Sequence, residues 1–343
     1  MEEVICFQKR NICRMHRSHL LSLGCLTILS TALPAAAQSH VSISGLLDGG
    51  IYRSFDGTGQ AGTIQRSHLA IAGYEDLGGG LKASFRLSTR FDLDTGLTED
   101  HGKKPFWHDE STVGLQGSFG HVRLGRALSA MWSQDWKFDP WGNFNRIASP
   151  AWYQWHYLTP TNRYSNNGTA EYGRMANGIF YDSPTLGGFT LHLSASPERT
   201  EVPLSLRREG RGYSASLNYD SDSLSGMLAF ERNSSGDKDS FAALKYRFGA
   251  AAVMGAWDYS RTAQNASTAK ALTLGATYQI GATTLKAGYG RQRLQAQSNH
   301  FYSLGADYAM SKRTTLYASL GRKSYAHRAD SGTSFGLGVA HAF

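Results

Sequence analysis

Cysteine is nearly absent from the 343-residue chain, and the three that occur, Cys6, Cys13 and Cys25, all precede position 37. That stretch reads as a leader. Arg14, His16, Arg17 and His19 come before an apolar run from Leu20 to Leu33, followed by Pro34-Ala35-Ala36-Ala37-Gln38, the layout of a secretory signal cleaved after Ala37. The run is too short and too polar for a permanent span. Its basic flank fits a start at Met15, so residues 1–14 read as a misassigned upstream start. Cys25 lies in the middle of the apolar run, which argues against lipid attachment there. The expected mature domain, 38–343, then has no cysteine, and disulfides, thiolate catalysis and Cys-ligated metals are excluded together.

Long apolar runs are also missing. After the leader nothing approaches the ~20 residues of a transmembrane helix, and mean hydropathy is −0.36. Charge of one sign is not concentrated either. The mature part has 31 Lys and Arg against 25 Asp and Glu, about +6, and the basic residues are scattered rather than gathered in a run or helical stripe, which speaks against nucleic-acid binding. Twelve histidines are present, yet no metal-spaced His pair and no nucleophile-elbow pattern occurs. No catalytic residue, metal or cofactor is therefore expected.

What is present is alternation. The last nine residues, Phe335 to Phe343, place Phe335, Leu337, Val339, His341 and Phe343 on one face of a strand and Gly336, Gly338, Ala340 and Ala342 on the other. Leu81 to Asp92 does the same, with Leu81, Ala83, Phe85, Leu87, Thr89 and Phe91 opposed to Lys82, Ser84, Arg86, Ser88, Arg90 and Asp92. About sixteen such segments run from position 40 to 343. The expected fold is all-β, a transmembrane antiparallel barrel. Connections alternate between short turns such as Gly249-Ala250 and Gly281-Ala282 and long polar stretches near 54–63, 93–107, 127–171, 197–210, 262–269, 291–299 and 324–332. A barrel with short turns at the periplasmic end and long loops outside has this pattern, and a soluble β-sandwich does not. Trp257, Tyr259, Tyr278, Tyr289, Tyr302, Tyr308 and Phe343 are candidates for interfacial aromatic girdles.

Several motifs resemble the trimeric general porins of Gram-negative outer membranes. They are Gly73-Tyr74-Glu75-Asp76-Leu77-Gly78-Gly79-Gly80-Leu81-Lys82-Ala83, Val122-Arg123-Leu124-Gly125-Arg126, Asp139-Pro140-Trp141-Gly142, Asn177 with Tyr181-Asp182-Ser183-Pro184, Ser311-Lys312-Arg313-Thr314 with Leu316-Tyr317-Ala318, and the terminal His341-Ala342-Phe343. Together with Gly45-Leu46-Leu47-Asp48 they span the whole mature chain. There are departures. His68 stands where the family commonly has Arg, Asp109-Glu110 replaces Arg-Gln, and Ser88 replaces a glutamate. The third long loop is unusually aromatic, with Trp132, Trp136, Trp141, Phe144, Trp152, Tyr153, Trp155 and Tyr157.

The resemblance implies a passive diffusion channel for small hydrophilic solutes and ions. It implies a homotrimer in contact with outer-membrane lipid and lipopolysaccharide, and a terminal Phe343 presented to the barrel assembly machinery. The third loop is expected to fold into the lumen and narrow it, setting Asp135 and Asp139 across from a basic wall of Arg66, Lys82, Arg86, Arg90 and Arg123. Such opposed charges order water and align dipolar solutes, and a surplus of Arg and Lys favours anions. Two alternatives stand beside this reading. One is an adhesin that uses its long loops, such as the basic run Arg207-Arg208-Glu209-Gly210-Arg211. The other is a substrate-specific channel whose loop tryptophans offer stacking surfaces to sugars or aromatic solutes.

Overall fold

The computed structural model describes residues 39–343 apart from positions 100, 159–172, 197–210, 234–235 and 264. The expected leader and positions 207–210 of the basic run lie outside the described residues. Seventeen strands form one antiparallel sheet. They are β1 (Ser39–Arg53), β2 (Gly59–Gly62), β3 (Ser67–Gly78), β4 (Leu81–Phe91), β5 (Glu110–Gly117), β6 (Gly120–Leu128), β7 (Arg174–Asp182), β8 (Phe189–Ser196) and β9 (Gly212–Asp220). Then follow β10 (Leu224–Arg232), β11 (Lys238–Phe248), β12 (Ala251–Arg261), β13 (Thr268–Ile280), β14 (Thr283–Leu294), β15 (Gln297–Ala309), β16 (Thr314–Ser324) and β17 (Gly332–Ala342).

Closure comes from β17 returning to β1, with Leu46 opposite Ala342 and Arg53 opposite Phe335. The four-residue β2 pairs with the end of β1 and continues the line of β3, so sixteen strands make the barrel. The break between β2 and β3 has a chemical cause. Asp48, fully buried on the lumen side of β1, accepts from the amides of Ile64 (2.9 Å) and Gln65 (2.7 Å) and from the Tyr317 hydroxyl (2.6 Å). A carboxylate thus satisfies two amides that have left the ladder.

One expected long loop is corrected. The stretch 291–299 is a hairpin joined at 295–296, because β14 continues to Leu294 and β15 begins at Gln297. Its polar residues had the composition of a loop, yet Gln292 and Asn299 are wall residues that face each other across the lumen side, 3.3 Å apart.

The period-two alternation sorts side chains into two environments. Val41, Ile43, Ile51, Val113, Leu228 and Leu244 point outward and are each at least 59% exposed. No helix among the described residues is long and apolar enough to cross a membrane; this apolar belt belongs in lipid. At the seam the Phe343 amide donates to the Gly45 carbonyl (3.1 Å) and the Gly45 amide to the Phe343 carbonyl (3.2 Å). A side chain at Gly45 would begin 2.5 Å from the Phe343 ring, so the ring fills the notch that Gly45 leaves. Deleting Phe343 removes both bonds and the ring. The expected result is a several-fold lower yield of heat-modifiable barrel in outer-membrane fractions, read by gel shift with and without boiling; unchanged yield would deny the residue its closing role.

Candidate functional site

Register places His68, Lys82, Arg86, Arg90, Glu110, His121, Arg123, Asp182 and His192 on the lumen face of β3 to β8. Five of them, Arg86, Glu110, Arg123, Asp182 and His192, join into a charge ladder along the wall. Arg86 Nε lies 3.2 Å from Glu110, Arg123 bridges Glu110 (2.9 Å) and Asp182 (3.0 Å), and His192 Nδ1 lies 2.7 Å from Asp182. Beside it Ser84 Oγ and His121 Nε2 are 2.9 Å apart. A recess of about 430 Å³ opens onto Tyr74, Arg86, Glu110, His121 and Arg123. Within the Arg86–Glu110 pair the arginine side chain is the more exposed, 42% against 17%.

The other expected wall residues have different surroundings. Arg90 is 7% exposed and pairs with Asp109 Oδ1 (2.8 Å), the same oxygen that Arg174 contacts while its Nε donates to the Asp109 carbonyl. Lys82 lies over the Tyr74 ring at 4.7 Å. Arg66 sits 4.8 Å from the ring centres of both Phe144 and Trp152. Asp109, Glu110, Asp182 and Arg174 thus belong to the site beside the expected residues, and of these only Asp109 and Glu110 carry a sequence signal, their departure from the family motif.

The segment 129–158 crosses the lumen. The amides of Ala130 and Met131 donate to Ser194 and Ser214 (3.0 Å each), Trp155 Nε1 to Thr273 (3.0 Å) and Asn145 Nδ2 to Ser319 (2.9 Å), all lumen-face side chains of β8, β9, β13 and β16. Its apolar underside, Met131, Phe138, Ala151 and Trp155, packs on Met227, Phe241, Ala243, Ala256 and Ala271 of β10 to β13. Of the eight aromatics noted in the loop sequence, Trp155 and Trp132 serve this seating. Trp141 and Trp155 are at most 5% exposed, whereas Trp136, Phe144 and Tyr157 are open.

The two acidic loop residues do not face the basic wall across water, and this corrects the expected geometry. Asp139 is 5% exposed and accepts from the amides of Trp141 and Asn143 (3.0 Å each), tying the loop to itself. Burial pushes its carboxyl above the usual range against those amides. Asp135 is 2% exposed and lies 3.4 Å from His156 Nε2. Burial raises it too, with the imidazole opposing. His156, fully buried, also lies 2.9 Å from Asp239 and 3.0 Å from Asp258 on the wall. Burial disfavours its charge, but Asp239 and Asp258 prevail and hold the imidazole well above its ordinary range. The carboxylates that do meet the basic ladder are the wall's own Glu110 and Asp182.

A closed sixteen-strand barrel, apolar outside and charged inside, with a loop seated across its lumen, defines a channel-forming protein of the outer-membrane type. The sequence profile described as Gram-negative porin matches residues 24–328, and the chain belongs to that family. It is similar to outer membrane porin protein 32 of Delftia acidovorans, 27% identical over 323 residues, which cover 87% of this chain and 88% of that one. Major outer membrane protein P.IB of Neisseria gonorrhoeae is 28% identical over 236 residues, 63% of this chain and 59% of that one. Among solved structures, the anion-selective porin from Comamonas acidovorans superposes with a TM-score of 0.76 at 25% identity, covering 89% of this chain and 100% of that one. The protein is an outer-membrane β-barrel of a porin family.

Proposed function

We propose that the chain is a passive, anion-favouring diffusion channel for small hydrophilic solutes, not an enzyme, exported by the leader 1–37 and assembled as a homotrimer through the barrel assembly machinery. The observation that carries the anion preference is where the lumen charges sit. Glu231, Asp239 and Asp258 are at most 1% exposed, sunk between loop and wall, while the Arg86 guanidinium stands in the open recess. Charge near the water path counts for more than charge behind a packed loop. The field runs along the wall, from Arg86 through Glu110 and Arg123 to Asp182, and the seated loop presses the solute path toward that ladder. The named anion-selective relative supports the same sign. Single-channel recording in a planar bilayer under a salt gradient tests it. Conductance steps in groups of three with an anionic reversal potential are expected; a cationic reversal potential would reverse the charge assignment, and silence from folded barrel would remove the channel reading.

Contact with phosphorylated outer-leaflet lipid, lipopolysaccharide included, has separate support. At the long-loop ends of β10 to β14, register points Arg232, Lys238, Arg261, Lys270, Arg291 and Arg293 outward. No Asp or Glu occupies an outward position of β9 to β17. On the same strands an apolar groove of about 490 Å³ is lined by Leu217, Leu228, Leu244, Trp257 and Leu272, suited to acyl chains. Replacing Arg261 and Lys270 with Glu is expected to cut co-purified lipopolysaccharide at least two-fold, measured as lipid phosphate per barrel; an unchanged ratio would place the contact elsewhere.

A further inference from the structure

We propose that His156, Asp239 and Asp258 form a divalent-metal site of the zinc class that fastens the inward loop to the wall at β11 and β12. The channel reading is not needed for this; only the seating of the loop is. His156 Nδ1 lies 2.9 Å from Asp239 Oδ2 and 3.0 Å from Asp258 Oδ2, and the three ligand atoms all fall within 4.8 Å of one another. Ligands held ~2.0–2.1 Å from a tetrahedral ion stand roughly 3.3 Å apart. An opening of a few tenths of an ångström admits the ion. The donor set, one imidazole nitrogen and two carboxylate oxygens, is one that zinc accepts.

Two further features separate this cluster from a group of acidic side chains. Asp135 Oδ2 faces His156 Nε2 at 3.4 Å. That contact lacks hydrogen-bond geometry, and Nε2 has no hydrogen-bond partner among the described residues. When an ion takes Nδ1 in place of its hydrogen bond to Asp239, the Asp135 carboxylate stands ready to accept the proton moved to Nε2, the outer arrangement common behind metal-bound histidines. The second oxygen of Asp258, in a fully buried side chain, has no hydrogen-bond partner among the described residues. Glu231, the register partner of Asp239 and 1% exposed, has one such oxygen as well. Three carboxylates thus meet one imidazole, with Glu231 beside Asp239 in the ladder, an excess of buried carboxyl groups that a bound cation would satisfy in place of protons. Asp135 and His156 come from opposite limbs of the loop. One ion therefore ties both limbs to the wall.

The test is metal stoichiometry of the full barrel refolded into detergent after chelation, with ZnCl2 or CoCl2 supplied at a small excess and then removed by desalting. One zinc per chain is expected in the wild type, and cobalt should give the visible absorption of a low-coordinate site. His156→Asn and Asp258→Asn should each lower zinc affinity at least 100-fold, and Asp135→Asn roughly 10–100-fold, as loss of an outer partner does. Circular dichroism and heat modifiability establish that each variant is folded. If His156→Asn does not fold, Asp258→Asn and the wild-type cobalt spectrum decide. Wild-type barrel without stoichiometric zinc, or folded His156→Asn or Asp258→Asn that still retains it, would overturn the proposal and leave the cluster a proton-held clasp.

Discussion

Replacing Gly321 with alanine is expected to unseat the inward loop. Gly321 lies on the lumen face of β16, and the first carbon of any side chain there would fall 1.9 Å from the Ile147 carbonyl oxygen and 3.2 Å from the Phe55 ring. The clash is with loop backbone, so no rotamer relieves it. Two residues away along the loop, Asn145 donates to Ser319 (2.9 Å) and caps the amides of Ile147 and Ala148 (2.9 Å each), and a shift of this turn puts those bonds at risk. Overpacking costs about 1–3 kcal/mol and each lost buried hydrogen bond about 1 kcal/mol more, so a loss of roughly 2–4 kcal/mol is expected. Displaced from its seat, the loop moves toward the Arg86 ladder, and single-channel records should show lower conductance with more flicker. Gly290→Ala makes a useful contrast. Its new carbon meets the end of the Gln154 side chain at 1.9 Å, which can swing aside. Gly59→Ala meets nothing within 4 Å and is expected to be silent. A Gly321→Ala channel indistinguishable from Gly59→Ala in melting and conductance would show that the loop does not rest on β16.

The second large effect is on ion selectivity. Serine at both Arg86 and Arg123 removes two guanidinium groups from the open recess and leaves Glu110 and Asp182 facing it. A unit charge 4 Å away is worth about 1 kcal/mol in water and more at the effective dielectric of a protein surface. The anion-to-cation permeability ratio should therefore fall roughly five-fold or more, read from the zero-current potential. Arg90→Ser should behave differently although Arg90 shares its strand face with Arg86. Its guanidinium is paired with Asp109 away from water, so the expected loss is stability, at the lower end of the about 3–5 kcal/mol typical of a broken buried pair because Arg174 still holds Asp109. Equal effects of Arg86 and Arg90 on the reversal potential would refute this division.

Much of the barrel was legible because strand alternation is local. Leu337 next to Gly338, or Phe85 next to Arg86, declares its face from sequence parity, and register then aligns whole rows: Lys82, Arg86 and Arg90 on the lumen side, Phe335, Leu337, Val339 and Phe343 on the other. The same rule failed at Arg291 to Asn299, where side chains reaching loop and lumen partners made a hairpin look like a loop. Gln292 Nε2, for instance, donates to the Gln154 carbonyl at 3.2 Å. The seated loop also leaves a trace in the strands. Met227, Phe241, Ala243, Ala256 and Ala271 occupy lumen positions that should be polar if water covered them. Apolar residues on both faces of β10 to β13 announce that protein lies against the inner side.

The sequence by itself determined the compartment, about sixteen membrane strands and the two faces of the clearest of them, such as Leu81 to Asp92 and Phe335 to Phe343, since these follow from composition and from a two-residue period that needs no distant partner. Only the tertiary structure decided which charges meet. Asp135 and Asp139 lie in a loop whose path is set by where it can bury Trp155 and Phe138, and that seat buries both carboxyls, one beside His156 and the other against its own loop backbone. Glu110 reaches Arg86 and Arg123 because β4, β5 and β6 are neighbours at one register. A charge shows its sign in sequence, but its exposure and its partner are properties of the closed barrel.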